Sequence, residues 1–259
     1  MIETISILGG HGKTGEPEPV ARIDLRMGDV VSIVGPTGSG KTTFINDIEL
    51  FANANTPTGR RVLFNGELPP AEYGEDPARN PIALITQHTT FLSDLPVNEF
   101  LHTHARVRCT SSEQRETAIG DTLAFANQLT GEPIALDSRM TELSGGQTRA
   151  LLIADATIIC NTPIVLLDEV ENAGIHRTRA IELLRRHRKI FIFVTHDPRI
   201  ALLSDYRIVM KNGRITKILH TDETEQKLAV VVSRLDDALS RLRDQIRMGE
   251  RLTSVEGLA

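Results

Sequence analysis

Only two cysteines occur in 259 residues, Cys109 and Cys160. They form no CxxC pair, which argues against a disulfide framework or a zinc knuckle and predicts reduced thiols in a cytoplasmic protein. No apolar run approaches the roughly 20 residues that a membrane-spanning helix needs. The start, Met1-Ile2-Glu3-Thr4, lacks the basic residues and apolar stretch of a secretory leader. Direct membrane insertion is therefore not expected, and a place at the inner face of the membrane would come through a partner chain. Positive charge is not in excess: 29 Lys+Arg against 34 Asp+Glu leave a net charge of -5. That argues against a broad nucleic-acid-binding surface. Repeats and low-complexity tracts are missing as well. The remainder, 40% hydrophobic and 24% charged, is ordinary for one large domain or two lobes.

What is present starts with Gly35-Pro36-Thr37-Gly38-Ser39-Gly40-Lys41-Thr42. The apolar run 30–34 before it reads as a buried strand, and residues 43–50 after it read as a helix. Strand, glycine-rich turn and helix are the context of a phosphate-binding loop. Glycines let the backbone wrap an anion, and the helix N-terminus behind them offers unpaired N–H groups. Lys41 is then placed for the β- and γ-phosphates and the Thr42 hydroxyl for Mg²⁺.

Around this loop the chain reads as α/β. Strands are expected at 2–8, 20–25, 61–66 (ending in the Asn65-Gly66 turn), 82–86, 164–167 and 190–194. A hairpin is expected at 207–219 about Asn212-Gly213. Residues 9–15 are so rich in glycine that they read as a flexible connection, and 67–81, with four prolines, as an irregular loop. From about His88 to Cys160 helical patterns dominate, which predicts an inserted helical lobe. The buried runs at 164–167 and 190–194 suit a parallel sheet.

Asp168 and Glu169 follow the 164–167 strand. Ligands of parallel sheets bind beyond the strands' C-terminal ends, so one carboxylate can serve a metal's hydration shell and the next can polarise an attacking water. Leu143-Ser144-Gly145-Gly146-Gln147 precedes a helical run and supplies a second helix start open to an anion.

In this order the motifs resemble those of the ATP-binding cassette (ABC) ATPases, over roughly residues 1–220. Gly35–Thr42 matches the family's Walker A loop, Gln87 its Q-loop, Leu143–Gln147 its signature, Ile164–Asp168 its Walker B strand and His196 its switch histidine. The resemblance implies a P-loop NTPase core with a mainly parallel sheet, an antiparallel β subdomain and the helical lobe. It also implies hydrolysis of ATP with Mg²⁺. Gly35, Pro36, Thr37, Gly38, Ser39, Gly40, Lys41, Thr42 and Thr43 would hold the nucleotide. Thr42, Gln87 and Asp168 would serve the metal. Glu169 would be the general base, with His196 at the γ-phosphate and Gln87 at the metal or the attacking water. Two such domains would close head to tail, Ser144, Gly145 and Gly146 of one facing the nucleotide of the other, as a homodimer or a heterodimer.

Two departures stand out. The family's adenine-stacking aromatic falls here in residues 9–15, where His11 is the only ring, so adenine selectivity is not carried over. After Glu169 the chain reads Val170-Glu171-Asn172-Ala173-Gly174-Ile175, with Ile175 where the family has a coupling aspartate.

Residues 1–221 thus form the ATPase domain and 222–259 an amphipathic helical tail. Leu228, Val232, Leu235, Leu239, Leu242 and Ile246 alternate spacings of four and three, a heptad seam that either folds onto its own domain or forms a short coiled coil. His102, His104 and Cys109 do not converge on one ion at their spacing and read as surface or packing residues. The function expected is an ATP-binding and ATP-hydrolysing subunit that powers a separate membrane permease. The alternative is a soluble ABC ATPase that remodels a cytosolic complex. Between Lys41 and Leu143 there is no room for the long coiled coil of a DNA-repair ATPase.

Overall fold

The computed structural model describes residues 1–90, 94–109, 111–169 and 177–251. The Val170-to-Ile175 stretch singled out above lies outside them.

Two sheets share one core. In the smaller, β1 (Thr4–Leu8) lies between β2 (Arg22–Arg26) and, across from it, β4 (Arg61–Phe64), all antiparallel. The larger sheet takes in β3 (Val30–Val34), β5 (Ile82–Thr86), β6 (Ile164–Asp168), β7 (Ile190–Val194), β8 (Tyr206–Lys211) and β9 (Arg214–His220). Its order is β5-β6-β7-β3-β8-β9, parallel except for the β8–β9 hairpin. The continuous apolar runs have a simple cause: the central strands are covered on both faces. On β6, Ile164 and Leu166 face one core and Val165 and Leu167 the other.

On the first face lies α1 (Lys41–Glu49), whose Phe44, Ile45 and Ile48 are fully buried together with Ile5, Ile7 and Leu25 of the small sheet. The opposite face carries the helical lobe. Its helices are α3 (Val97–Arg108), α4 (Ser112–Leu129) and α5 (Gly145–Thr157), with α6 (Arg177–Arg185) beside them. Ser111 and Gln114 begin α4 with reciprocal side-chain and backbone hydrogen bonds, which satisfy otherwise orphaned amides. Among the described residues no helix is long and apolar enough to cross a membrane.

Two expectations need revision and one element is added. The 67–81 segment contains a single helical turn, α2 (Glu72–Glu75). A short helix, α7 (Pro198–Leu203), follows β7; Asp197 caps it and Pro198 opens it. The glycine-rich 9–15 segment is not a loose connection. The His11 N–H donates to Thr58 O, the Lys13 N–H to Asn212 O, and the Gly10 N–H to the Glu18 carboxylate.

The tail is one helix, α8 (Glu223–Arg247), which packs on α7. Arg199 of α7 forms ion pairs with Asp236 and Asp237, and Arg207 of β8 pairs with Glu225. These contacts use a face beside the heptad seam. Ala229 is buried, whereas Leu228, Leu235, Leu239 and Ile246 are each at least half exposed.

Candidate active site

The parallel register collects the site residues. Ile33 of β3 pairs with Val194 of β7, Val194 with Asp168 of β6, and Asp168 with Thr86 of β5. One residue further along these strands stand Val34, Thr195, Glu169 and Gln87. The sheet therefore delivers the start of the 35–42 loop, Asp168, Glu169, Gln87 and, after Thr195, His196 to one edge. That edge is the C-terminal end of the parallel strands, where ligands of such sheets bind.

The loop has the form an anion requires. Gly38 and Gly40 have φ of 77° and 100°, values a Cβ disfavours. At Gly40 a side chain would also stand 2.9 Å from Gly213 Cα. Gly40 gives α1 no side-chain cap, so the first amides of that helix are left to a ligand. Ser39 Oγ is buried with no hydrogen-bond partner among the described residues. Lys41 is buried, and its Nζ donates to Gly35 O at 3.0 Å and Pro36 O at 3.3 Å, folded into the turn it is expected to serve. An orphaned hydroxyl, an uncapped helix start and an inward lysine fit a phosphate chain. Thr42 at the head of α1 and Asp168 at the end of β6 add oxygen donors of the kind Mg²⁺ prefers.

Glu169 has φ 51°, a left-handed conformation uncommon outside glycine that costs on the order of 1–3 kcal/mol. Its amide is tied to Val194 O at 3.0 Å, and its Oε1 lies 3.5 Å from His196 Nε2. The strained residue is thus the expected base, held against the expected switch histidine.

Ser144 and its glycines stand apart, in the helical lobe. Ser144 Oγ accepts the Gln147 N–H at 3.3 Å, and Gln147 Oε1 accepts the Ser144 N–H at 2.9 Å. Gln147 also donates to Pro133 O. The serine is therefore fixed as the cap of α5.

Three residues with site contacts are assigned no role in the sequence reading. Lys13 Nζ donates to Gly38 O at 2.8 Å and closes the outer side of the phosphate loop. Arg149 on α5 donates to Gly145 O at 2.9 Å and, with its other terminal nitrogen, to Gln87 O; burial pulls its guanidinium below the usual arginine range. Arg60 is completely buried under the loop. It pairs with Glu18 at 2.7 Å and Asp47 at 2.8 Å, lies over the Phe44 ring, and donates to Gly213 O. Gly213 N in turn donates to Ser39 O at 2.8 Å. For Lys13, the adjacency of a lysine to a glycine run was the one available hint. Burial alone would raise the Glu18 carboxyl, but the hydrogen bonds and charge of Arg60, with the Gly10 and Ile215 amides, hold it below the ordinary glutamate range.

Comparison with known proteins places these features. The family model described as ABC transporter matches residues 20–172. An uncharacterized ABC transporter ATP-binding protein of Methanocaldococcus jannaschii is 47% identical over 252 residues, 97% of this chain and 95% of that one. A spermidine/putrescine import ATP-binding protein of Lawsonia intracellularis is 31% identical over 204 residues, 76% of this chain; the match spans 52% of that protein's length. Among solved structures, cbiO1 of Clostridium perfringens, part of the ABC transporter complex cbiONQ, superposes with a TM-score of 0.68 at 20% identity, over 95% of this chain and 100% of that chain.

Proposed function

Because the chain belongs to the ABC transporter family and is an ATP-binding ATPase subunit of that kind, we propose that two copies, or one copy and a similar chain, hydrolyse Mg-ATP in a head-to-tail dimer that drives a separate membrane permease. The observation that carries the reading is the register row that brings the phosphate loop, Gln87, Asp168, Glu169 and His196 to one sheet edge.

In this reading the glycine-rich loop and the start of α1 bind the phosphates, and Lys41 exchanges its bonds to Gly35 O and Pro36 O for phosphate oxygens. Thr42, Gln87 and Asp168 would hold Mg²⁺, which would supply charge neutralisation at the phosphates. Glu169 accepts a proton from water as the water oxygen bonds to the γ-phosphorus. The bond from that phosphorus to the β,γ-bridging oxygen breaks, leaving ADP and phosphate. His196, beside Glu169, donates toward the γ-phosphate. Ser144, Gly145 and Gly146 present their helix start to the nucleotide on the opposite copy. The apolar seam of α8 adds a short coiled-coil contact with a second copy. The same chemistry would serve the alternative, a soluble remodelling ATPase, if the partner were not a permease.

Glu169→Gln tests the reading. It keeps the hydrogen-bonding shape and removes the proton acceptor, so Mg-ATP binding should persist, turnover should fall by at least about a hundredfold, and sedimentation should show an ATP-dependent dimer. A variant that stays monomeric at saturating Mg-ATP with its partner present would exclude the sandwich. Capture with the trapped variant separates the clients: integral membrane chains mean transport, and soluble enzymes alone mean remodelling.

A further inference from the structure

A second constellation lies in the helical lobe, away from the nucleotide edge. His104 stands on α3, Asp155 on α5, and Cys160 in the connection from α5 to β6. His104 Nδ1 lies 2.8 Å from Asp155 Oδ2, and Cys160 Sγ lies 3.6 Å from the same oxygen. One donor atom from each residue lies within 4.8 Å of the other two. The backbone fixes the arrangement, since the Cys160 N–H donates to Asp155 O at 2.9 Å.

The histidine spacing with Cys109 gives no such convergence; the partners that matter are brought in from α5 and its exit. A histidine–aspartate pair alone would serve to pin α3 to α5. Two observations exceed that role. Asp155 is 5% exposed, and its Oδ1 is buried with no hydrogen-bond partner among the described residues, an arrangement that costs free energy unless something else uses the carboxylate. Cys160 brings a thiol to the same carboxylate.

We propose that His104, Asp155 and Cys160 form a binding site for a zinc-type divalent cation. Nitrogen, oxygen and sulfur together suit Zn²⁺ better than Mg²⁺ or Ca²⁺, which take oxygen alone. Ligands of a tetrahedral zinc at 2.0–2.3 Å stand roughly 3.3–3.8 Å apart. The sulfur–oxygen separation already meets this, and the His104–Asp155 bond has to open by about half an ångström. The half-exposed His104 gives the ion a path in, and a water completes four-coordination. Burial and the Asp155 carboxylate push the Cys160 thiol up to about 12, so the thiol keeps its proton until an ion displaces it; the thiolate and carboxylate then balance the ion's charge. A bound ion would tie α3, α5 and the approach to β6 together and so stiffen the lobe that carries Ser144.

Cobalt reports the site through its sulfur ligand. Metal-free full-length protein, without nucleotide, is titrated with Co²⁺ and followed by absorption. One equivalent should produce a thiolate-to-cobalt charge-transfer band together with tetrahedral d–d bands, and one equivalent of Zn²⁺ should abolish both. Cys160→Ser should lose the charge-transfer band, and Cys109→Ser should keep it. No band in folded protein, or a band that survives Cys160→Ser, overturns the site. A measurement on the unmodified chain guards against a variant that fails to fold. Zn²⁺ should slow alkylation of Cys160 and leave Cys109 unaffected, read by peptide mass. Equal rates at Cys160 with and without Zn²⁺ overturn the proposal independently.

Discussion

His11 shows what a single side chain decides. It is the only ring in the 9–15 loop, and it lies beside Gly59. The stacking platform that stabilises a base by roughly 1–3 kcal/mol in other nucleic-acid sites has no aromatic candidate there. ATP and GTP should therefore bind with affinities within about tenfold, or 1.4 kcal/mol, in a competition assay with a fluorescent nucleotide. A preference above about a hundredfold would mean that an adenine platform comes from elsewhere. At this scale the sequence was legible wherever chemistry demands a residue type. Lys41, Asp168, Glu169 and His196 were candidates from what phosphate, metal and water would require, and the strand register brings their positions to one edge. It was illegible wherever a side chain answers a carbonyl. Lys13 to Gly38 O and Arg149 to Gln87 O have backbone acceptors, which every residue possesses. His104 and Asp155 are likewise 51 positions apart and meet only through the fold.

Elements were legible in proportion to their burial. The strands β3, β6 and β7 are covered on both faces and read as unbroken apolar runs. Short helices escaped because α2 and α7 have too few residues to show a period, although Asp197-Pro198 is a start signal. Folded order in the 9–15 loop escaped because its anchor, Arg60, lies far along the chain. That anchor joins the loop, α1, β4 and the β8–β9 turn, and it makes a sharp prediction. Arg60→Met leaves the buried carboxylates of Glu18 and Asp47 without their cation and should destabilise the protein by about 3–5 kcal/mol at neutral pH, measured by urea unfolding. The pH dependence has a definite sign. Glu18 is depressed in the fold, so its contribution is complete above the unfolded value near roughly 4.3 and is lost as pH falls through the lower folded value. Without Arg60, burial pushes Glu18 up against only the Gly10 and Ile215 amides. The gap between wild type and variant should therefore narrow as pH drops below about 5. A gap that stays constant from neutral to acidic pH would assign the loss to packing.

For the whole molecule, α8 bears on the seam. Leu235 is 54% exposed and Leu239 50%, while Val232 and Leu242 of the same seam are half-buried, so part of the stripe is left uncovered by its own domain. At 1.5 Å per residue the stripe is roughly 27 Å long, and its width of one side chain falls short of the roughly 1,000 Å² that a stable interface needs. It can add to a nucleotide-held dimer but not make one alone. Leu235→Asp with Leu239→Asp should leave the melting midpoint of the monomer nearly unchanged, within about 0.5 kcal/mol. The same pair should weaken the ATP-dependent dimer of Glu169→Gln by at least about tenfold in sedimentation. An unweakened dimer would remove the seam from the assembly. The mainly parallel sheet, the helical lobe and the order of motifs were legible at this scale because each motif has its place in the family. The outward direction of the seam was not, because a heptad marks a stripe without saying which way it faces. One further consequence follows from Arg149, whose guanidinium holds Gly145 O at the head of the signature helix and Gln87 O beside the sheet edge. In the proposed dimer the first position meets the opposite copy's nucleotide and the second meets the chain's own. In that dimer a single side chain would stand between the two nucleotides, bonded to the backbone beside each.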